Sequence, residues 1–496
     1  MEVKNYVQGE WVSGKGKEIN HFHAITGEHI SSTSSEGIDY KAILEYGRDK
    51  GSSSLRKMTF QQRGEMLKSL ALYLLKRKEV FYELSKATGA TKIDSWIDIE
   101  GGIGNLFANA SLRRQFPDLP YMVDGSTANL SKNGSFIGHH IMVPRRGVAV
   151  HINAFNFPIW GMLEKIAVNL MAGVPAVVKP SEFTSASSLE FMELVNEAGF
   201  PKGVVNCITG YGLEIGAAMV EHSDVAKVAF TGSDFAGQKI YETAAKKIMP
   251  VTLELGGKSP NIVFEDADFE AAVMGAISGI FAATGQTCIA GSRLLVQRKI
   301  HDKFVKRLVE VASEAKIGDP MSVETHVGPV TTAPQYDKIL QYIKVAEEDG
   351  AKCVLGGKPY TGDGVQGDRF VEPTIFTGVT NNMRIAQEEV FGPILSVIPF
   401  DTEEDAIRIG NDIVFGLAAG VWTSDLGRAF RMSEKLKAGT VWVNTYRAVS
   451  FMTPFGGYKR SGQGRESGQE SIKEFMQVKS VWIAQQTTSS NPFIMQ

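Results

Sequence analysis

From about residue 147 onward, short apolar strands alternate with helices, and this alternation constrains the fold more than any other feature of the chain. Val148–Ile152 and Ala176–Val178 are predicted strands, and the helical stretch Trp160–Ala172 lies between them. Val204–Ile208 and Val225–Phe230 continue the series, each followed by a glycine-rich turn and a helix. Continuous apolar strands joined by helices are typical of a parallel sheet that is covered on both faces. The predicted fold class is therefore α/β.

A second strand–helix series begins after about residue 257, with predicted strands at Arg293–Gln297, Val354–Leu355 and Leu395–Phe400. The chain has 496 residues, a length that accommodates about two to four domains. Two α/β domains therefore fit the pattern better than one.

Residues 127–146 and 475–485 lie outside this alternation and are predicted to be extended ribbons. Because exposed strand edges are normally covered, we expect the ribbons to pair across subunits in a homodimer or homotetramer. The prediction divides the chain into a first domain of residues 1–126 and 147–256, a second domain of residues 257–460, and an oligomerisation ribbon of residues 127–146 and 475–496.

Charge and cysteine content exclude several classes of protein. Lys and Arg number 52 and Asp and Glu 55, and the resulting net charge of −3 argues against a nucleic-acid-binding surface. Three cysteines, Cys207, Cys288 and Cys353, cannot all pair within one chain, so no disulfide framework is expected and the cytoplasm is the expected location. The first residues show no secretion signal. We predict no metal site and no membrane partner.

The uncharged run Ala271–Ser292 is long enough to span a bilayer. It contains four glycines and several polar residues, so we predict a buried helix that leads into a glycine loop. Cys288 lies in this loop between Gly285 and Gly291, and the glycines would let the backbone approach a substrate. A catalytic thiol requires a pKa lowered from about 8.5. The alternative is a buried structural cysteine, and the motif alone supports the two interpretations about equally.

Two further residues are candidates for catalysis. Glu254 is predicted at the carboxyl end of a parallel strand, where α/β sheets place ligand chemistry, and an apolar setting would raise its pKa toward that of a general base. The alternative is an ion pair, for example with Lys258. Asn156 follows a strand and precedes a helix, so its amide could donate to a developing oxyanion. Its alternative role is a turn or a helix cap.

Three strand-to-helix turns suggest a nucleotide cofactor. Thr209–Gly216 contains Gly212 and Gly216 in a pattern one residue longer than the dinucleotide fingerprint, which is weak evidence alone. Thr231-Gly232-Ser233 places small residues at a helix N-terminus, which suits a phosphate. Lys179 and Glu182 end another strand and could hold a ribose between them.

Seven motifs in a fixed order then identify a resemblance. They are Asn156-Phe157-Pro158, Lys179-Pro180-Ser181-Glu182, Phe230-Thr231-Gly232-Ser233, Leu253-Glu254-Leu255-Gly256-Gly257-Lys258, Gly285-Gln286-Thr287-Cys288, Glu389-Val390-Phe391-Gly392-Pro393 and Pro454-Phe455-Gly456-Gly457-Tyr458-Lys459. From about residue 5 to 485 the chain resembles the aldehyde dehydrogenase superfamily. The resemblance implies a Rossmann-like NAD(P)-binding domain, a catalytic domain and an oligomerisation ribbon.

The resemblance also implies roles for individual residues. Cys288 would be the nucleophile and Glu254 the base for deacylation, while Asn156 and the Cys288 N–H would form the oxyanion hole. The predicted cofactor site consists of Lys179, Glu182, Gly212, Gly216, Thr231, Ser233, Leu255, Glu389 and Phe391. Of these, the resemblance implies Lys179 and Glu182 at the adenosine ribose, Ser233 at the pyrophosphate, and Glu389 with Phe391 at the nicotinamide ribose. The implied reaction is the oxidation of an aldehyde to a carboxylic acid through a thiohemiacetal and a thioester, with NAD preferred and NADP possible.

The resemblance is not uniform along the chain. Residues 35–180 resemble the aldehyde dehydrogenase half of the oxepin-CoA ring-opening enzymes of phenylacetate breakdown, which tend to use NADP. Residues 181–485 resemble the common hydrolytic aldehyde dehydrogenases, so the chain could be a natural or engineered mosaic. A CoA-linked semialdehyde substrate, a CoA-acylating reaction and a catalytically silent homologue remain alternatives. The intact Glu254 argues against the acylating reaction.

Overall fold

A computed structural model describes residues 2–362, 365, 367–485 and 493. The strands in chain order are β1 (Glu2–Val3), β2 (Asn5–Val7), β3 (Glu10–Val12), β4 (Ile19–Phe22), β5 (His29–Thr33), β6 (Met122–Asn129), β7 (Phe136–Pro144), β8 (Val148–Ile152), β9 (Ala176–Lys179), β10 (Val205–Cys207), β11 (Val225–Thr231), β12 (Val251–Glu254), β13 (Pro260–Val263), β14 (Arg293–Gln297), β15 (Lys352–Leu355), β16 (Thr374–Thr377), β17 (Ile394–Phe400), β18 (Ala418–Trp422), β19 (Thr440–Val443), β20 (Gly462–Gln463) and β21 (Met476–Ala484).

The α-helices are α1 (Tyr40–Tyr46), α2 (Ser52–Leu55), α3 (Phe60–Thr88), α4 (Lys92–Trp96), α5 (Gly102–Leu112), α6 (Pro158–Ala172), α7 (Ser185–Glu197), α8 (Ala217–Val220), α9 (Asp234–Ala245), α10 (Phe269–Phe281), α11 (His301–Ser313), α12 (Ala333–Glu348), α13 (Arg384–Gln387), α14 (Glu403–Asn411), α15 (Leu426–Lys435) and α16 (Gly468–Glu474). Within the described ranges, no helix combines the length and the apolar character needed to cross a membrane.

The first large sheet has eight strands in the order β20-β12-β11-β8-β9-β10-β2-β3. Its five central strands are parallel, and their carboxyl ends lie in register: Thr231 opposes Glu254, and Ile152 opposes Lys179. These strands are buried because helices cover both faces. One of these helices, α6, is almost entirely buried, begins with Pro158 and ends at the left-handed Gly173. The register brings Thr231, Glu254 and Lys179 to one edge of the sheet, where α/β folds bind ligands.

The second large sheet has seven strands in the order β15-β16-β17-β14-β13-β18-β19, and all are parallel except β15. Its strands fall between residues 257 and 460, as the second predicted series did. The first sheet, in contrast, also recruits β20 from beyond residue 460. The proposed domain boundaries themselves stay a prediction.

The two predicted ribbons form a third sheet in the order β21-β7-β6. β7 and β21 pair antiparallel along their whole length, from Pro144 opposite Met476 to Phe136 opposite Ala484. The two ribbons therefore pair with each other inside one chain, and their pairing across subunits stays a prediction. The first ribbon contains the hairpin β6–β7, and β21 pairs with the edge of β7 that faces away from β6. Residues 486–496 of the predicted ribbon lie outside the described residues, except for Phe493.

Candidate active site

Glu254 lies at the carboxyl end of β12, between β11 and the short strand β20. Its side chain is buried, and neither carboxylate oxygen has a hydrogen-bond partner in the described part of the chain. A Cβ on Gly456 would approach Oε1 of Glu254 to 2.8 Å. Glycine therefore lets the chain lie directly against the carboxylate.

The loop that carries Cys288 follows an abrupt helix end. α10 ends at Phe281, and in the 3₁₀ turn that follows Ala283 and Thr284 have φ angles of 52° and 54°. Positive φ in residues with a Cβ is uncommon and is often found at functional sites. Gly285 has a φ of 69°, and a Cβ there would lie 2.1 Å from the carbonyl oxygen of Gly392. The predicted helix leading into a glycine loop is thus confirmed, but the helix is buried on one face only and exposes Met274.

Asn156 and the segment after Glu254 both contact this loop. Nδ2 of Asn156 donates to the carbonyl oxygen of Gln286, 3.0 Å away and two residues before Cys288. A Cβ on Gly257 would lie 2.6 Å from the carbonyl oxygen of Cys288. The structure therefore brings the three predicted catalytic residues together around one loop.

Burial controls the ionisation of both reactive groups. It raises the pKa of the Cys288 thiol to about 12, and the negative charges of Glu389 and Glu254 add to the effect. It also raises the pKa of Glu254 well above its usual value; Glu466 adds to this shift and Lys165 opposes it. The predicted rise in the pKa of Glu254 is therefore confirmed. For Cys288 the shift is opposite to the one catalysis requires, because the buried thiol faces negative charges.

Sequence reasoning missed a buried group of charged side chains beside Glu254. Nζ of Lys165 lies 2.9 Å from Oε1 of Glu466 and donates to Oγ1 of Thr231 at 2.7 Å. Glu164, the preceding residue, is buried as well. The available signal was a pair of adjacent charges inside the otherwise apolar α6, because buried charges are almost always paired.

At the carboxyl end of β9, Lys179 is buried and Glu182 is partly exposed. Nζ of Lys179 lies 2.8 Å from Oε2 of Glu182. Burial lowers the pKa of Lys179, and Glu182 partly offsets this. A Cβ on Gly212 would lie 3.7 Å from Nζ of Lys179, whereas a Cβ on Gly216 would lie 3.4 Å from Cδ1 of Ile152. Gly212 therefore borders the charged pair, while Gly216 packs against the sheet.

Three other predicted cofactor residues surround the start of α9. Ser233 caps this helix, because its hydroxyl oxygen accepts from the N–H of Ala236 at 3.3 Å. Leu255 packs against α9 where a Cβ on Gly237 would come within 2.5 Å of its side chain. The hydroxyl of Thr231 is directed instead toward the ammonium group of Lys165.

Glu389 and Phe391 reach the same region from the second sheet's side. Oε1 of Glu389 accepts from the N–H of Gly257 at 2.9 Å. Burial raises the pKa of Glu389, and this hydrogen bond opposes the shift. Phe391 has a φ of 62°, and its ring centroid lies 5.9 Å from that of Phe155. Glu389 thus contacts Gly257, in the segment that follows Glu254, and Gly257 in turn lies against the Cys288 loop.

Comparison with known proteins decides the family. A family model described as the aldehyde dehydrogenase family matches residues 11–481. The chain belongs to the aldehyde dehydrogenase family. The predicted fold is confirmed by a solved structure, the NAD⁺ complex of an aldehyde dehydrogenase from Bacillus cereus. That structure has a TM-score of 0.91 and 37% sequence identity, over 98% of this chain and 97% of the other.

Curated relatives extend the same result. This aldehyde dehydrogenase is 39% identical over 489 residues to aldehyde dehydrogenase 1A1 of Bos taurus, covering 97% of this chain and 95% of the relative. It is 48% identical to a betaine aldehyde dehydrogenase of Mesorhizobium japonicum. That match spans 337 residues, 68% of this chain and 69% of the relative.

Proposed function

We propose that this chain oxidises an aldehyde to a carboxylic acid with NAD as the hydride acceptor. The observation that carries the proposal is the convergence of Asn156, Glu254 and Cys288. Asn156 donates to the carbonyl of Gln286, and the segment after Glu254 touches the Cys288 backbone. A nucleophile, a buried carboxyl group and an amide donor are the parts that acyl transfer through a covalent intermediate requires.

In the first step the sulfur of Cys288 attacks the aldehyde carbon and the C=O π bond opens onto oxygen. The Asn156 amide and the Cys288 N–H donate hydrogen bonds to this oxygen, where negative charge develops. The thiol proton must leave, because burial raises the pKa of Cys288 to about 12. Glu254 lies close enough for its charge to act on the thiol, and it is the candidate acceptor for this proton.

The residues around the strand ends fit a dinucleotide. Gly212 leaves the Lys179–Glu182 pair approachable, since a side chain there would occupy the space beside Nζ of Lys179. Lys179 and Glu182 would hold the ribose hydroxyls, the N-terminus of α9 at Ser233 the pyrophosphate, and Glu389 the second ribose. When bound, NAD supplies the acceptor for the hydride that leaves the thiohemiacetal carbon, and a thioester on Cys288 remains.

Glu254 then serves the hydrolytic step, after the proton from the thiol has passed from its carboxyl group to solvent. Its carboxylate takes a proton from water, the water oxygen bonds to the thioester carbon, and the C–S bond breaks to release the acid. The sulfur of Cys288 leaves as the thiolate and takes the proton that Glu254 removed from water. Burial raises the pKa of Glu254, which makes its carboxylate a stronger base than an exposed glutamate.

A CoA-linked semialdehyde is a second candidate substrate, because residues 35–180 resemble the ring-opening branch. We favour a simple aliphatic or aromatic aldehyde, since most of the catalytic region is of the common type. The buried Glu254 argues against transfer of the acyl group to CoA.

We also propose a cytoplasmic homodimer or homotetramer. Three free cysteines suit a reducing compartment. The outer edge of β21 is the candidate contact, because several of its apolar side chains are exposed.

The proposal is tested with a panel of aldehydes assayed with NAD and with NADP. Cys288→Ala is expected to abolish oxidation and to bind NAD with near wild-type affinity, because the thiol forms the covalent bond but does not hold the cofactor. Cys353→Ala, on β15, is the matched control and should retain activity. Measurable turnover by Cys288→Ala would end the proposed mechanism.

A further inference from the structure

Glu164 and Glu466 place two carboxyl groups beside one buried ammonium group. Both oxygens of Glu466 contact Nζ of Lys165, at 2.9 and 3.0 Å. The hydroxyl of Ser467, the residue after Glu466, donates to Glu164, so the two carboxyl groups belong to one buried cluster. Two like charges in one buried cluster cannot both ionise freely.

Glu164 is held in position by two neutral donors. The hydroxyl of Ser467 donates to Oε1, and Nε1 of Trp160 donates to Oε2 at 3.2 Å. Burial, together with the charge of Glu466, raises the pKa of Glu164 to about 7. The side chain is therefore fixed by its contacts while its charge changes near neutral pH.

Glu254 is exposed to the charge of this pair. It has no hydrogen-bond donor of its own in the described part of the chain, and the charges of both Glu164 and Glu466 act on it. Glu164, Glu466 and Thr252, which lies two residues before Glu254, line one cavity. Further charged or titratable groups near this cluster come from several elements: Lys165 on α6, His151 on β8, Lys227 on β11, Arg465 beside Glu466, and Glu474 at the end of α16.

We propose that Glu164 is a positioning residue for deacylation: it shares one proton with Glu466 and thereby sets the negative charge that faces Glu254. This inference rests on the proposed function, in which Glu254 activates water. While the proton is shared, the pair carries one negative charge. Once this proton leaves, the Glu164–Glu466 pair carries two negative charges, and the added charge keeps Glu254 protonated to higher pH.

Glu164→Gln separates these states. Glutamine has the same shape and can donate to Glu466, and the pair then carries one negative charge at every working pH. Glu254 should ionise at lower pH, so the acid limb of the deacylation rate should move down by about half a pH unit or more. On that limb the variant should deacylate about threefold faster than the wild type.

The experiment mixes holoenzyme rapidly with aldehyde across a pH series and resolves the burst of hydride transfer from the slower deacylation. Above the acid limb, where Glu254 is ionised in both proteins, the burst rate of Glu164→Gln should match the wild type. Glu474→Gln is the matched control: its carboxylate pairs with another buried lysine, Lys227, at 2.7 Å, and its loss should leave the acid limb in place. Infrared spectra of the cofactor-free protein near neutral pH should lose the signal of one protonated carboxyl group in Glu164→Gln.

An unshifted acid limb in folded Glu164→Gln, or an equal shift in Glu474→Gln, would overturn the role of Glu164. Ser467→Ala provides a second test, because it removes a donor that favours ionised Glu164. Ser467→Ala should move the acid limb in the same direction as Glu164→Gln, by a smaller amount. If Glu164→Gln does not fold, an unmoved acid limb in Ser467→Ala would overturn the proposal. A wild-type enzyme that reduces neither NAD nor NADP with any aldehyde of the panel would instead refute the proposed function itself.

Discussion

Neither carboxylate oxygen of Glu254 has a donor in the described residues, although the side chain is buried. A buried carboxyl group without donors stays protonated to higher pH than usual, and once ionised it is a strong base. The same group faces the thiol of Cys288, which also ionises with difficulty. Glu254 is therefore the candidate acceptor in two proton transfers, one from the thiol of Cys288 and one from water.

Glu254→Gln separates these two duties. If the carboxylate serves only the water, the variant should complete hydride transfer and then stall, giving a burst of about one NADH per active site followed by slow turnover. Rapid-mixing absorbance of the reduced cofactor measures both phases. Loss of the burst together with the steady state would show that Glu254 also activates Cys288.

Single residues were predictable where the signal is local. Asn156, Glu254 and Cys288 each lie at a strand or helix end in a short motif, and the structure brings them together. The pair of Lys165 and Glu466 was not predictable, because its members are 301 positions apart and only the folded chain shows their contact. The pKa of Cys288 was out of reach for the same reason, since its charged neighbours come from distant segments.

At the level of elements, β8 places a titratable histidine, His151, in the middle of the first sheet. His151 is fully buried and its ring stacks on Phe475 with centroids 6.1 Å apart. Burial, with some contribution from Lys165 and Lys227, lowers the pKa of His151 to about 3. The folded protein therefore holds this imidazole neutral, whereas the unfolded chain binds a proton below about pH 6.5.

Stability should consequently fall as the pH drops from about 6.5 toward 3, because the depressed folded pKa favours the unfolded state in that window. At about pH 5 this single group should cost about 2 kcal/mol. His151→Val removes it, so the loss of stability between about pH 7.5 and 5 should be smaller in the variant. Urea unfolding of both proteins at the two pH values provides the measurement. Equal losses in the two proteins would show that His151 is protonated without cost.

Regular elements were predicted well and irregular ones were not. β8 and β14 have the predicted bounds, because apolar runs between polar turns mark buried strands. The π-helical turn Ile97–Gly101 joins α4 to α5 and left no sequence signal. It places the carboxylate of Asp98 on the N–H groups of Ile159 and Trp160 at the start of α6, a long-range contact that periodicity does not reveal.

At the scale of the whole molecule, the ribbon sheet has an open edge. Among the described residues, β21 pairs with β7 on one side only, and Val478, Trp482 and Ile483 are 60, 66 and 48% exposed. An exposed apolar edge strand invites pairing with a second chain.

Light scattering at micromolar concentration should therefore give a dimer or a tetramer. Val478→Lys should weaken the assembly, whereas Leu426→Lys, at an exposed leucine of α15, should not. A monomeric wild-type protein would contradict the prediction.

Cofactor choice tests how the two differently related parts of the chain work together. Glu182 lies just after residue 180, where the resemblance changes, and its carboxylate already holds the ammonium group of Lys179 at 2.8 Å. A 2′-phosphate beside this carboxylate would meet a like charge at a cost of about 1–3 kcal/mol, and Lys179 would offset part of it. We therefore expect kcat/KM to favour NAD by about tenfold, and Glu182→Gln to reduce that preference. Ser181→Ala serves as the control, because it alters the same turn without changing its charge. A wild-type preference for NADP would mean that Glu182 leaves the site and that the segment before residue 181 governs selection, as in the branch that segment resembles.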